Sequence, residues 1–115
     1  MATKRQVETK LRELIRRLEQ TEEGAAALSD ALPDPRVIEV SVPDLDQSYW
    51  TELVDGRMGP LHRGAPPVAD MKLQADSDDL IEIIDGRRSM FSSYVAGRIK
   101  VEASFADLMR LRKLG

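Results

Sequence analysis

The sequence has no cysteine, a single histidine, and only two Phe, two Tyr and one Trp. Each shortage excludes something. Without cysteine there is no disulfide, no thiolate nucleophile and no Cys-type zinc site. With His62 as the sole imidazole, every site that needs two histidines is excluded. So few aromatics require a largely aliphatic core. No apolar run nears the roughly 20 residues that span a bilayer. The first residues are polar and charged, unlike a signal peptide, so the expected compartment is the cytoplasm. A net charge of −3 argues against a nucleic-acid binder acting through bulk electrostatics.

What is present suits one globular domain over residues 1–115, with 42% hydrophobic and 32% charged residues. The charge is segregated. Residues 1–20 and 98–115 each carry a net +3, and the middle carries −9. Arg outnumbers Lys 12 to 5, the bias of a GC-rich bacterial source.

Thr3-x-x-Gln6 has the spacing of a capping box and predicts a helix over residues 4–20. Val7, Leu11, Leu14, Ile15 and Leu18 form its apolar stripe. An Ala-rich second helix is expected over 24–32, ended by Pro33-Asp34-Pro35. Alternation predicts a strand over 36–42, with Ile38, Val40 and Val42 on one face. A β-rich run over 48–54 leads into Asp55-Gly56, a hairpin turn. An irregular third strand follows over 58–62, broken by Gly59-Pro60. A further strand is expected over 68–75, with Asp76-Ser77-Asp78-Asp79 capping a helix that ends at Gly86. Ser89 opens a short helix closed by Gly97. A strand over 98–103 and a last helix after Ser104-x-x-Asp107 complete an α+β order.

Little in this set points to catalysis. The glycines form neither a dinucleotide fingerprint nor a P-loop. The acidic cluster at 76–79 has Ile81 where a calcium loop needs Gly, and helix capping explains it. No G-x-S-x-G turn presents a serine to His62, which reads as a structural histidine. Five methionines beside few aromatics make a soft interior, either plain core or the wall of a cavity for apolar ligands.

Residues 79–114 carry a more specific pattern. Asp79-Leu80-Ile81-Glu82-Ile83-Ile84-Asp85-Gly86 is followed after eleven positions by Gly97, with Tyr94 three residues before it, and then by Arg98-Ile99-Lys100-Val101-Glu102. This resembles the C-terminal half of the sterol carrier protein type-two family. Met90 replaces a frequent Pro, Ala103-Ser104 replace a usual Gly and acidic residue, and Asp107 stands at an often apolar position. The chain does not end in a peroxisomal tripeptide, so that family's peroxisomal role is not expected here.

The resemblance implies a single, mostly antiparallel sheet of about five strands, covered by helices on one face, with an apolar tunnel between. It implies binding and transfer or buffering of a fatty acid, acyl-CoA or sterol-like lipid, with no catalysis, cofactor or metal. By size and expected facing, the wall residues are Trp50, Leu53, Met71, Leu73, Ile84, Tyr94, Val95, Phe105, Leu108 and Met109. Lys4, Lys10, Arg12 and Arg16 are the expected contacts with anionic membranes. The alternative is a dimerisation or adaptor module of the same fold whose tunnel is filled; monomer and homodimer are both open.

Overall fold

A computed structural model describes residues 2–20, 26, 35–54 and 57–111. Helix α1 (Lys4–Gln20) starts at the expected box. The Thr3 N–H donates to Gln6 Oε1 at 2.9 Å, and the Gln6 N–H donates to Thr3 Oγ1 at 3.2 Å. Two N–H groups that a helix start leaves orphaned are thereby satisfied. The apolar stripe turns inward, burying Val7 and Leu11 fully and Leu14 in part.

Among the described residues six strands follow: β1 (Arg36–Val42), β2 (Gln47–Val54), β3 (Arg57–Met58), β4 (His62–Arg63), β5 (Met71–Ala75) and β6 (Ile99–Glu102). Between β5 and β6 lie α2 (Ser77–Ile84) and α3 (Met90–Val95), and α4 (Phe105–Leu111) comes last. They form one sheet in the order β3-β2-β1-β5-β6, with β4 also paired to β2. The β1–β5 pair is parallel and the others are antiparallel, so the sheet is mixed. The chain reverses between β1 and β2 through a 3-10 turn, Pro43–Leu45, and a left-handed Asp46 at φ 50°. Apart from Ala26, which is helical, the expected helix over 24–32 lies outside the described residues, as does the Asp55-Gly56 turn.

Three local expectations need correction. The strand expected over 58–62 is split into β3 and β4, because Pro60 has no N–H for a ladder. Gly59 fills the gap, donating to Glu52 O at 2.8 Å and accepting from Thr51 Oγ1 at 2.9 Å. The strand expected from Val68 begins at Met71, where Asp70 opens the ladder. Its N–H donates to Val37 O at 2.9 Å, and its Oδ2 accepts the Val37 N–H at 2.7 Å. Third, Asp76 is the α2 N-cap by position but makes no side-chain cap hydrogen bond. Asp44 of the 3-10 turn does that work, accepting from Ser77 N at 2.9 Å and from Ser77 Oγ at 2.6 Å. Ser77 Oγ in turn accepts from Ala2 N at 3.2 Å, tying three segments together.

Later caps follow the sequence reading. Ser89 accepts from Ser92 N, and Ser104 accepts from Asp107 N at 3.1 Å. Gly86 and Gly97 both adopt φ 78°, a conformation that L side chains resist.

Candidate functional site

Strand register sets the floor of the site. Tyr49 lies opposite Val40, Val40 beside Leu73, and Leu73 opposite Val101, giving one row across four strands. A second row runs Thr51–Ile38–Met71. Because side chains alternate along a strand, both rows project from the same face. Above them stand Leu11, Leu14 and Ile15 of α1, Leu80, Ile83 and Ile84 of α2, and Met90 of α3. Floor and roof do not fill the space between them: a cavity of about 200 Å³ remains, with an almost wholly apolar wall.

Met90 and Val101 also border a second apolar cavity of about 230 Å³, walled by Phe91, Tyr94, Phe105, Leu108 and Met109 of α3 and α4. Each space is smaller than the roughly 300 Å³ at which small-molecule pockets begin, and together they exceed it. Phe91, Tyr94, Phe105 and Met109 are all solvent-exposed, so the second cavity forms an open apolar mouth.

The sequence-expected wall residues divide between these spaces. Met71, Leu73 and Ile84 line the inner cavity; Tyr94, Phe105, Leu108 and Met109 line the mouth. Trp50 borders the inner cavity, but it alternates with Tyr49 and Thr51, so its ring belongs to the opposite face. There it stacks on His62, with ring centroids 4.3 Å apart. Leu53 and Val95 line neither cavity. Leu53 is fully buried in a separate cluster with Met71, and Val95 is 69% exposed on the outside of α3. Val40, Val101, Leu11, Leu80 and Met90 were missed because size was favoured over facing. The helical stripe and the strand alternation already marked most of them as inward.

The cations of α1 also divide. Lys10 Nζ is 2.6 Å from Asp85 Oδ1, and Arg12 pairs with Glu8. Lys4 and Arg16 are exposed and have no ion pair among the described residues. Glu8 is buried beneath Arg63, whose Nε and Nη2 reach its two oxygens at 3.1 and 3.0 Å. Hydrogen bonds from Arg63 and then Arg12 hold its carboxyl below the ordinary glutamate value. Asp85 is likewise held low, chiefly by its hydrogen bond from Lys10. Burial pushes the Tyr49 phenol up, and the nearby Glu8 charge adds to it. Among the described residues no group of three or more His, Asp or Glu side chains is placed to hold a metal ion. No helix among them is long and apolar enough to cross a membrane.

A one-sided helical cover over a mixed sheet, with an apolar space between the layers, defines a class of small α+β binding domains. The SCP-2 sterol transfer family matches residues 9–114, and the chain belongs to that family. No curated protein matches the sequence. Sterol Carrier Protein 2 Like 2 from Aedes aegypti has a similar fold at TM-score 0.68 and 12% identity, with 95% of each chain covered. A UbiJ-SCP2 ubiquinone synthesis protein is similar at TM-score 0.65 and 16% identity, covering 99% of this chain and 92% of the other. The stereoselective inverting sec-alkylsulfatase Pisa1 from Pseudomonas sp. is similar at TM-score 0.59 and 18% identity, over 76% of this chain. This chain spans only 14% of that enzyme's length. At these identities the likeness is one of fold.

Proposed function

We propose that the chain binds the apolar part of a lipid between its sheet and helices and carries or buffers it in the cytoplasm, without catalysing a reaction. The observation that carries this reading is the pair of apolar cavities that share Met90 and Val101 in their walls, one between sheet and helices and one among exposed aromatics. Family membership supports it. Burying about a dozen methylenes at roughly 0.8 kcal/mol each supplies on the order of 10 kcal/mol gross. Association costs several kcal/mol of that, which leaves micromolar-range binding. A filled adaptor core is the less favoured reading, because the space beneath α1 and α2 is open. Displacement of an environment-sensitive fluorescent fatty acid by unlabelled lipids tests the proposal. Saturable, competitive binding is expected, and no saturable binding overturns it.

Contact with anionic membranes through Lys4, Lys10, Arg12 and Arg16 is part of this reading; of these, Lys10 and Arg12 also make ion pairs within the fold. Vesicle sedimentation should increase with anionic lipid and fall with salt. Indifference to both removes the membrane contact.

A further inference from the structure

We propose that the outer faces of α3 and α4 dock on an anionic lipid bilayer, seating the apolar mouth against the membrane. The docking rests on the lipid-carrying reading above and adds the surface through which the chain meets its lipid source. Both helices lie inside out. A surface helix ordinarily buries its apolar stripe and shows its polar one. In α3, Ser93 is 3% exposed and Val95 69%, with Phe91 and Tyr94 also open to solvent. In α4, Asp107 is 4% exposed and Phe105 78%, with Met109 exposed as well.

Each buried polar side chain has a partner that fixes this orientation from within. Ser93 Oγ donates to Ser89 O at 2.8 Å, and Asp107 accepts from the Arg36 guanidinium. The apolar residues recur at spacings of three and four, Phe91–Tyr94–Val95 and Phe105–Leu108–Met109, so each helix presents one stripe. The stripes meet at the mouth, which Phe91, Tyr94, Phe105, Leu108 and Met109 line together. An exposed apolar patch of this kind marks a contact with a protein or a membrane.

Charge selects the membrane. Residues 86–115 carry seven Lys/Arg against two acidic residues, a net +5 in a chain of net −3. Of the two acids, Asp107 is buried with Arg36. Arg87 and Arg88 precede α3, Arg98 and Lys100 follow it, and all four are exposed. Arg88 and Arg98 share a small cleft with Ser92 and Ala96 on the serine flank of α3. Ion pairs join Arg87 to Asp85, Arg88 to Glu82 and Arg98 to Asp79, but exposed pairs of this sort hold weakly and leave the guanidinium groups available to other anions. Lys100 makes no ion pair among the described residues. An apolar stripe between basic flanks suits the surface of an anionic bilayer, where the stripe enters the acyl boundary and the cations meet lipid phosphates. A second copy on the same face would set like-charged flanks against each other.

The test uses vesicles of phosphatidylcholine alone and of phosphatidylcholine with phosphatidylglycerol in equal parts. Val95 lines neither cavity and the chain has no cysteine, so Val95→Cys carries a single environment-sensitive fluorophore. Its emission should shift to the blue on the anionic vesicles, while the same label at Glu52→Cys, on the uncovered face of the sheet, stays as in water. Val95→Asn should weaken association with those vesicles about tenfold in sedimentation. Its binding of a fluorescent fatty acid in solution should be unchanged, with circular dichroism confirming the fold. Vesicle binding with an unshifted Val95 label, or undiminished in Val95→Asn, overturns the assignment and places the membrane contact on another surface. A dimer that Val95→Asn dissolves also overturns it, giving the face to a second copy. No vesicle binding beside saturable fatty-acid binding overturns the docking and leaves the lipid site standing; absence of both overturns the two together.

Discussion

Arg36, the first residue of β1, and Asp107, in the first turn of α4, form a two-point ion pair. Nε lies 2.9 Å from Oδ2 and Nη2 lies 3.0 Å from Oδ1. Both side chains are largely buried. The pair anchors the helix that supplies Phe105, Leu108 and Met109 to the apolar mouth.

Removing one partner leaves the other charge in a poorly solvated place. Asp107→Ala should therefore destabilise the fold by about 3 kcal/mol, read from urea unfolding. An Arg36→Leu/Asp107→Leu double variant should recover part of that loss, since both charges of this pair are removed together. If Asp107→Ala leaves the unfolding midpoint unchanged, the pair does not hold α4.

Gly86 and Gly97 close α2 and α3 with positive φ, and open space surrounds the position of a Cβ at each. Substitution there meets backbone strain without a steric clash. Gly86→Ala and Gly97→Ala should each cost about 1 kcal/mol, measured by thermal or urea unfolding. Stabilisation by either would contradict the left-handed geometry.

Stability should also fall on the acid side. The Glu8 carboxyl sits below the ordinary value of 4.5 and that of Asp85 below 3.8. For a group depressed in the folded state, the unfolded chain takes up its proton first as pH drops. The Glu8 contribution is complete above pH 4.5 and is lost as pH falls through the lower folded value. Urea midpoints measured from neutral pH downward should show this loss, and Glu8→Gln should flatten its slope. An unchanged slope in that variant would remove the Glu8–Arg63 ion pair from the account.

Val40 lies at the centre of the cavity floor, between Tyr49 and Leu73. Val40→Phe places a ring in the open space beneath α1 and α2. It should weaken binding of a fluorescent fatty acid about tenfold or more, while overpacking costs no more than about 1–3 kcal/mol of stability. Unaltered binding in a folded variant would place the lipid elsewhere.

Much of the fold was legible because it is written in local chemistry. The Thr3–Gln6 box, the Ser89 and Ser104 caps, the β1 alternation and the two terminal glycines are all short-range signals, and each appears in the structure. The parallel β1–β5 pair was not legible, because it depends on where a long connection returns. Asp44 capping α2 is another long-range choice, and the Asp76–Asp79 cluster pointed to the nearer aspartates instead.

The candidate site divides in the same way. Met71, Leu73 and Ile84 were found because strand and helix periodicity show which way they face. Trp50 was misplaced because its size outweighed its register, and Val95 because a short helix gives little periodicity to read. Asp107 looked like a polar intrusion into an apolar helix. Its partner, Arg36, lies 71 positions away.

The most direct test of the account is native mass spectrometry of the gently purified full chain, followed by solvent extraction and lipid identification. The account predicts a stoichiometric complex with an apolar-chain lipid, either co-purified or formed on adding hexadecanoic acid. A mass of the bare chain alone, unchanged by added lipid and accompanied by no displacement of a fluorescent fatty acid, would contradict it.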